Sequence, residues 1–182
     1  MQRIKALTES DLTPEQKIVW DRIASGPRGD VALTHNTWLR NPDLSEHIQQ
    51  LGAYLRYEVL SDKQRELAIL VTGRCWDCEL EWILHVQQAR DAGHGDADLA
   101  VLAAGGKPDF DETDLSAIYD YVVEINQTRE ITDATYEAVL QALGEKGVVE
   151  LVALVGFYDL TAMLIKTFQF DKPEGVGPIF TH

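Results

Sequence analysis

Basic residues are scarce in this chain. Across 182 residues, 16 Lys and Arg stand against 30 Asp and Glu, for a formal charge of −14. A surface of that sign repels phosphate backbones and anionic lipid, which argues against nucleic-acid and membrane-surface partners. Cysteine is also rare, with two in all. A disulfide-stapled scaffold is thereby excluded, and a Cys-x-x-Cys in such a chain reads as redox or metal chemistry before it reads as a staple. The first residues, MQRIKALTESDLTPEQ, lack an apolar signal core, so a cytoplasmic location is expected. No internal repeat or low-complexity segment stands out. The length and a 45% hydrophobic content suit a single domain, 1–182, with a sizeable core.

What is present is helical punctuation. Thr13 as N-cap and Pro14 at N1 open a first helix through Ile18, Val19 and Ile23, which stops at Gly26-Pro27. Residues 26–41 read as a loop anchored by Trp38 and Leu39. His35 within it reads either as a hydrogen-bonded loop histidine or as a pocket residue. A second helix spans Pro42 to Leu60, with Leu44, Ile48, Leu51 and Leu55 on one face. Ser61 or Asp62 caps a third, whose run Leu67-Ala68-Ile69-Leu70-Val71 is apolar enough to be central. By periodicity alone that run fits a buried strand equally well; the cap before it decides for helix.

A motif helix follows and ends at Gly93. Beyond it the pattern gives a short helix from Asp96 to Ala104, a long one entered through acidic residues 109–114, and another from Thr132 or Asp133 to near Gly144. The acidic entry complements a helix dipole and is not a metal site. The last helix, Gly147 to Phe170, is apolar on nearly every face, interrupted by Glu150, Asp159 and Lys166. Those charges leave no uninterrupted span of roughly 20 apolar residues. A helix apolar all round must be covered all round, which predicts burial against another subunit as well as its own domain. The tail, 171–182, has too little periodicity for helix and is expected to lie extended over a neighbour or its own surface. The fold class is therefore all-α.

The chemistry concentrates in 61–93. Both cysteines, Cys75 and Cys78, lie there, with Trp82 and His85. On a helix, Cys78, Glu81, Trp82 and His85 stand at i, i+3, i+4 and i+7, a stripe that brings a thiol, a carboxylate and an imidazole together. Glu66 on the preceding helix joins them if the two helices pair as a hairpin. A carboxylate beside an imidazole in a dry pocket makes the histidine a proton donor near neutral pH. The alternative is a weak surface pair, and Glu66 likewise could pair with Arg65 or Arg74 on a helix surface. The two cysteines can be a redox pair or two thiols with no joint role. They lack a second ligand pair at zinc spacing, so no metal is expected. If the substrate is anionic a local cation is needed, and Arg40 and Arg74 are the candidates.

This stretch resembles the carboxymuconolactone decarboxylase family, which includes the alkyl hydroperoxidase D proteins. The family pattern is a Glu, a Cys twelve residues on, and a His seven residues after that Cys; Glu66, Cys78 and His85 match. The decarboxylase-branch wording Tyr-Glu-Trp-x-x-His is met by 80–85, with Leu80 in place of Tyr. The peroxidase branch has its reactive Cys four residues before the His, where this chain has Glu81, so Cys75 and Cys78 sit one turn off that geometry.

The resemblance implies an all-helical bundle that forms trimers or hexamers, with a loop before the second helix walling the site. It also implies a cofactor-free loss of carboxylate from a small lactone or related organic acid. Glu66, Cys78, Glu81 and His85 would be catalytic; His35, Trp38 and Trp82 are pocket candidates, as are Arg40 and Arg74, which lie outside the family pattern. Two other readings stay open: a thiol-dependent peroxidase or disulfide reductase using Cys75 and Cys78, and a non-catalytic helical oligomer that binds a small molecule.

Overall fold

The computed structural model describes residues 2–27 and 29–180; Met1, Arg28, Thr181 and His182, which fall in the N-terminal, 26–41 and tail segments read above, lie outside the described residues. Every regular element among the described residues is helical. A 3-10 turn, Glu9–Asp11, precedes α1 (Pro14–Ser25), α2 (Leu33–Trp38), α3 (Pro42–Tyr57), α4 (Asp62–Cys75), α5 (Glu79–Asp91), α6 (Asp96–Ala103), α7 (Thr113–Thr128) and α8 (Asp133–Phe168).

The starts follow the sequence signals. Thr13 and Gln16 form a reciprocal capping box at α1, and Ser61 and Gln64 do the same at α4. Asn41 accepts a hydrogen bond from the Leu44 N–H at α3. Gly93 closes α5 at φ +98, a left-handed conformation that glycine adopts without a side-chain clash.

Helix α4 is the centre. All of Arg65 to Gly73 is buried, and the Leu67–Val71 run is helical, with α5, α7 and α8 packed around it. The two C-terminal helices read from the sequence meet at Gly144, where φ +70 and ψ 171 interrupt α8. The C-terminal half of α8 buries Leu151, Leu154, Val155, Tyr158, Ala162 and Ile165. Its opposite side is open at Val149, Val152 and Met163. By length and composition α8 is apolar enough to cross a membrane, with a mean hydropathy of 2.0 over an 18-residue window of which 39% is buried within the protein; the charges read from the sequence still interrupt the run.

Three expectations are corrected. The segment read as loop contains α2, held by contacts remote in sequence: the Asn36 side chain takes the Leu7 N–H and donates to the Leu7 carbonyl, both at 2.8 Å. The apolar face read on α3 does not turn inward as a unit. Leu55 is buried beside Gly52 and Ser45, whereas Leu44 and Leu51 are exposed. The last helix ends at Phe168, because Gln169 takes a left-handed conformation that swings Phe170 into a small cluster with Ile165.

The described part of the tail, 171–180, lies on its own chain. The Glu79 carboxylate accepts the Ile179 and Phe180 backbone N–H groups at 2.7 and 3.1 Å and pairs with Lys172. Phe180 enters the main core edge-on against Trp82, ring centroids 5.5 Å apart.

Candidate active site

Helices α4 and α5 form a hairpin across the three-residue turn Trp76–Cys78, in which Asp77 holds φ +48, a region Asp tolerates better than most residues. The hairpin sets Glu66 against His85. Their side chains are both buried, and His85 Nδ1 lies 2.8 Å from Glu66 Oε2. An ionised carboxylate only accepts, so Nδ1 carries the hydrogen and Nε2 becomes the nitrogen that can exchange a proton with a ligand.

Two cations surround the same carboxylate. Arg56, from the last turn of α3, has Nη1 at 3.8 Å from Glu66 Oε1, and Arg65 Nε lies at 3.6 Å. Arg56 Nη1 is also 3.4 Å from His85 Nδ1. With both nitrogens bearing hydrogens, that approach is a shared vicinity rather than a hydrogen bond.

Tyr158 from α8 closes the group. Its ring meets the His85 ring edge-on at 5.2 Å, and its hydroxyl is bonded to Arg56. Burial pushes the Tyr158 phenol up to about 12, with Arg56 pulling the other way, so it stays protonated at neutral pH. For Arg56, burial acts downward, but Tyr158 and Glu66 outweigh it and hold the guanidinium above its ordinary value.

These residues border a cavity of about 320 Å³. His35 and Trp38 from α2 form one wall, and Arg56, Glu81, His85 and Tyr158 supply polar groups. Ile48, Leu84 and Phe157 add apolar surface, and Asp30, Gln88 and Thr161 further polar surface. The lining is thus mixed, with polar groups converging on a concave space of the size a small molecule occupies.

Glu81 behaves differently from the expected partner of His85. It is 1% exposed, and neither carboxyl oxygen has a hydrogen-bond partner. Burial first, and the Asp159 carboxylate second, push its pKa well above the usual range. The carboxylate paired with His85 is therefore Glu66, from the neighbouring helix, and Glu81 borders the cavity with its ionisation disfavoured.

The remaining sequence candidates are dispersed. Cys78 is the N-cap of α5, buried against Ala162, Ile165 and Phe170, and does not border the His85 cavity. Cys75, at the end of α4, borders a second hollow of about 240 Å³ with Arg74 and Tyr119. Both cysteines are free thiols, Cys75 exposed and Cys78 buried; desolvation pushes each up to about 11, with Asp159 adding to this at Cys75, whose exposure weakens the effect, and Glu81 at Cys78. The stripe of four divides because Cys78 precedes the helix and Trp82 turns into the main core.

Arg74 and Arg40 are corrected as pocket cations. Arg74 pairs with Asp77, donates to the Ala103 carbonyl and lies 4.8 Å over the Phe180 ring. Arg40 donates to the Asn36 and Lys5 carbonyls. Arg56 and Tyr158 were missed. Arg56 reads as an ordinary basic residue in a last helical turn, whereas the polar pair Tyr158-Asp159 inside an otherwise apolar helix was a usable signal. Among the described residues, no group of three or more His, Cys, Asp or Glu side chains is arranged to hold a metal.

The described residues define an all-helical fold with the Glu66–His85 pair between α4 and α5. Residues 42–113, from α3 to the first residue of α7, match the model of the carboxymuconolactone decarboxylase family.

Two solved structures share the fold. One is a protein of unknown function from Agrobacterium tumefaciens, described as a candidate antioxidant defence protein AhpD. It has a TM-score of 0.68 at 15% identity, covering 76% of this chain and 96% of that one. The other is an uncharacterized peroxidase-related protein from Silicibacter sp., with a TM-score of 0.74 at 13% identity, covering 95% and 92%. At such identities the likeness is one of fold. No curated protein matches the chain.

Proposed function

We propose that this protein is a cofactor-free lyase that removes carboxylate from a small lactone or related organic acid in the His85 cavity. The observation that carries this reading is the buried Glu66–His85 pair, 2.8 Å apart beside Arg56, with His85 and Arg56 on the wall of a hollow of mixed lining. Loss of CO₂ leaves an electron pair on carbon, delocalised into the lactone. The site must stabilise that charge and return a proton. Arg56 supplies a fixed positive charge at low dielectric, where it acts most strongly. Glu66 favours the imidazolium form of His85, which delivers the proton through Nε2. Trp38, Phe157 and Tyr158 offer flat apolar walls to a small ring.

The thiol peroxidase reading draws support from the names of the two structural neighbours. Against it stand Glu81 at the reactive-cysteine position, two sulfurs bordering different hollows, and thiols raised to about 11, which are poor nucleophiles at neutral pH. The experiment is a direct comparison of CO₂ release from a γ-carboxylated lactone with reduction of an alkyl hydroperoxide. Lactone turnover that survives Cys75→Ser supports the lyase; hydroperoxide turnover abolished by either Cys→Ser change supports the peroxidase.

We also propose that the protein works as a homo-oligomer, a trimer or a hexamer. The exposed Val149, Val152 and Met163 of α8, with Leu44 and Leu51 of α3, form apolar surface of the kind that a second copy covers. Sedimentation as a monomer at micromolar concentration would remove this part.

A further inference from the structure

Glu81 is left over by the mechanism above. The proton exchange is assigned to His85, the charge to Glu66 and Arg56, yet a fully buried carboxyl borders the same cavity with neither oxygen hydrogen-bonded. Buried polar atoms are nearly always paired, and an orphan on a cavity wall points to a partner that arrives with the ligand.

The surroundings define which partner fits. On α4, Gly73 lies behind the Glu81 stem, where an added Cβ would stand 3.5 Å from Glu81 Cβ, in ordinary contact. The titratable groups acting on Glu81 from α8 are Asp159 and Tyr158, and Cys78 precedes it at the head of α5. His85 lies one turn further along α5, and Arg56 faces the same cavity from α3. Burial and the Asp159 charge oppose ionisation, so the group presents an O–H rather than a carboxylate.

We propose that Glu81 is a neutral hydrogen-bond donor for a ligand oxygen that carries or develops negative charge, so that the site selects a ring compound with a carbonyl or enolate oxygen. An acid kept neutral by an apolar site serves well as an oxyanion donor, because it stabilises the developing charge without adding a charge of its own.

This rests on the lyase reading for its catalytic consequence. As the carbon–carbon bond to the departing carboxylate breaks, its electron pair moves onto the ring carbonyl oxygen and neutral CO₂ leaves. Glu81 keeps its proton and donates a hydrogen bond to that oxygen. His85 then gives a proton to carbon as the enolate collapses, and solvent reprotonates the imidazole. The oxygen requirement itself holds for any ligand of the cavity.

The test uses full-length protein and needs no turnover, so its failure is distinct from failure of the lyase reading. The probe is 4-nitrophenolate, an aromatic ring with one charged oxygen, followed by its absorbance shift on binding. Wild type should bind it saturably. Glu81→Gln, whose amide still donates, should bind within a few-fold, whereas Glu81→Leu should lose roughly tenfold or more. Infrared difference spectra of wild type against Glu81→Gln at neutral pH provide a second readout, which does not depend on the Leu variant folding. They should contain one protonated-carboxyl band that shifts when the probe binds. Absence of that band, failure of wild type to bind, or equal binding by Glu81→Leu would overturn the proposal.

Discussion

Replacing Glu66 with Gln removes one charge and almost no volume at the most connected point of the site. In the native protein this buried carboxylate faces His85 at 2.8 Å, Arg65 at 3.6 Å and Arg56 at 3.8 Å. The variant leaves Arg56 and the imidazole without their common anion, while Arg65 keeps Asp62 at 2.6 Å. Breaking a buried ion pair from one side costs about 3–5 kcal/mol, and the surviving Arg65–Asp62 pair places this case near about 3. At about 2–4 °C per kcal/mol for a domain of this size, the melting temperature should fall by about 6–12 °C.

Function should change in a way that lost stability does not explain. Without the adjacent negative charge the imidazolium is less favoured, so turnover should decline at lower pH than in wild type. The assay is a calorimetric melt paired with a pH–rate series at a temperature where both proteins are folded. A variant that melts within a degree of wild type and keeps its pH profile would refute the claim that Glu66 is the charge partner of His85.

Arg56→Leu should raise KM for an anionic substrate by at least about tenfold, since a charged hydrogen bond contributes about 1.5–3 kcal/mol; initial rates over a substrate series check this. Arg74→Leu should leave KM unchanged, its cation being committed to Asp77 and Phe180. Glu81, with its pKa raised by burial, contributes stability present in full below the ordinary carboxylate range and lost as pH rises through its folded value. Glu81→Gln should therefore flatten the dependence of denaturant-unfolding stability on rising pH. Glu79, held down to about 2 by Lys172 and the tail N–H groups, has the opposite sign: its contribution is present at neutral pH and lost in strong acid. Trp82 fluorescence should report the release of Phe180 in Glu79→Gln at neutral pH.

Much of the fold was legible because its signals are local. The caps at Thr13 and Ser61, the glycine stop at 93 and the break at Gly144 depend on a few consecutive residues. The Glu66–His85 pairing was legible as spacing across a hairpin. What escaped depends on contacts distant in sequence. Helix α2 exists because Asn36 reaches back to Leu7. Arg56 and Tyr158 reach the site only through the packing of α3 and α8 against the hairpin. The role of Glu81 was misread for the same reason: spacing placed it near His85, but its charge state is set by burial and by Asp159 on another helix.

The central claim is that His85, charged by Glu66, returns a proton to the carbon that loses carboxylate. It is tested most directly by single-turnover CO₂ release from a γ-carboxylated lactone, comparing wild type with His85→Gln, with substrate binding measured separately. Wild type should release CO₂ without added cofactor, and His85→Gln should lose about 10²–10⁴-fold in that step while binding substrate nearly as well. An unchanged rate in His85→Gln would contradict the account.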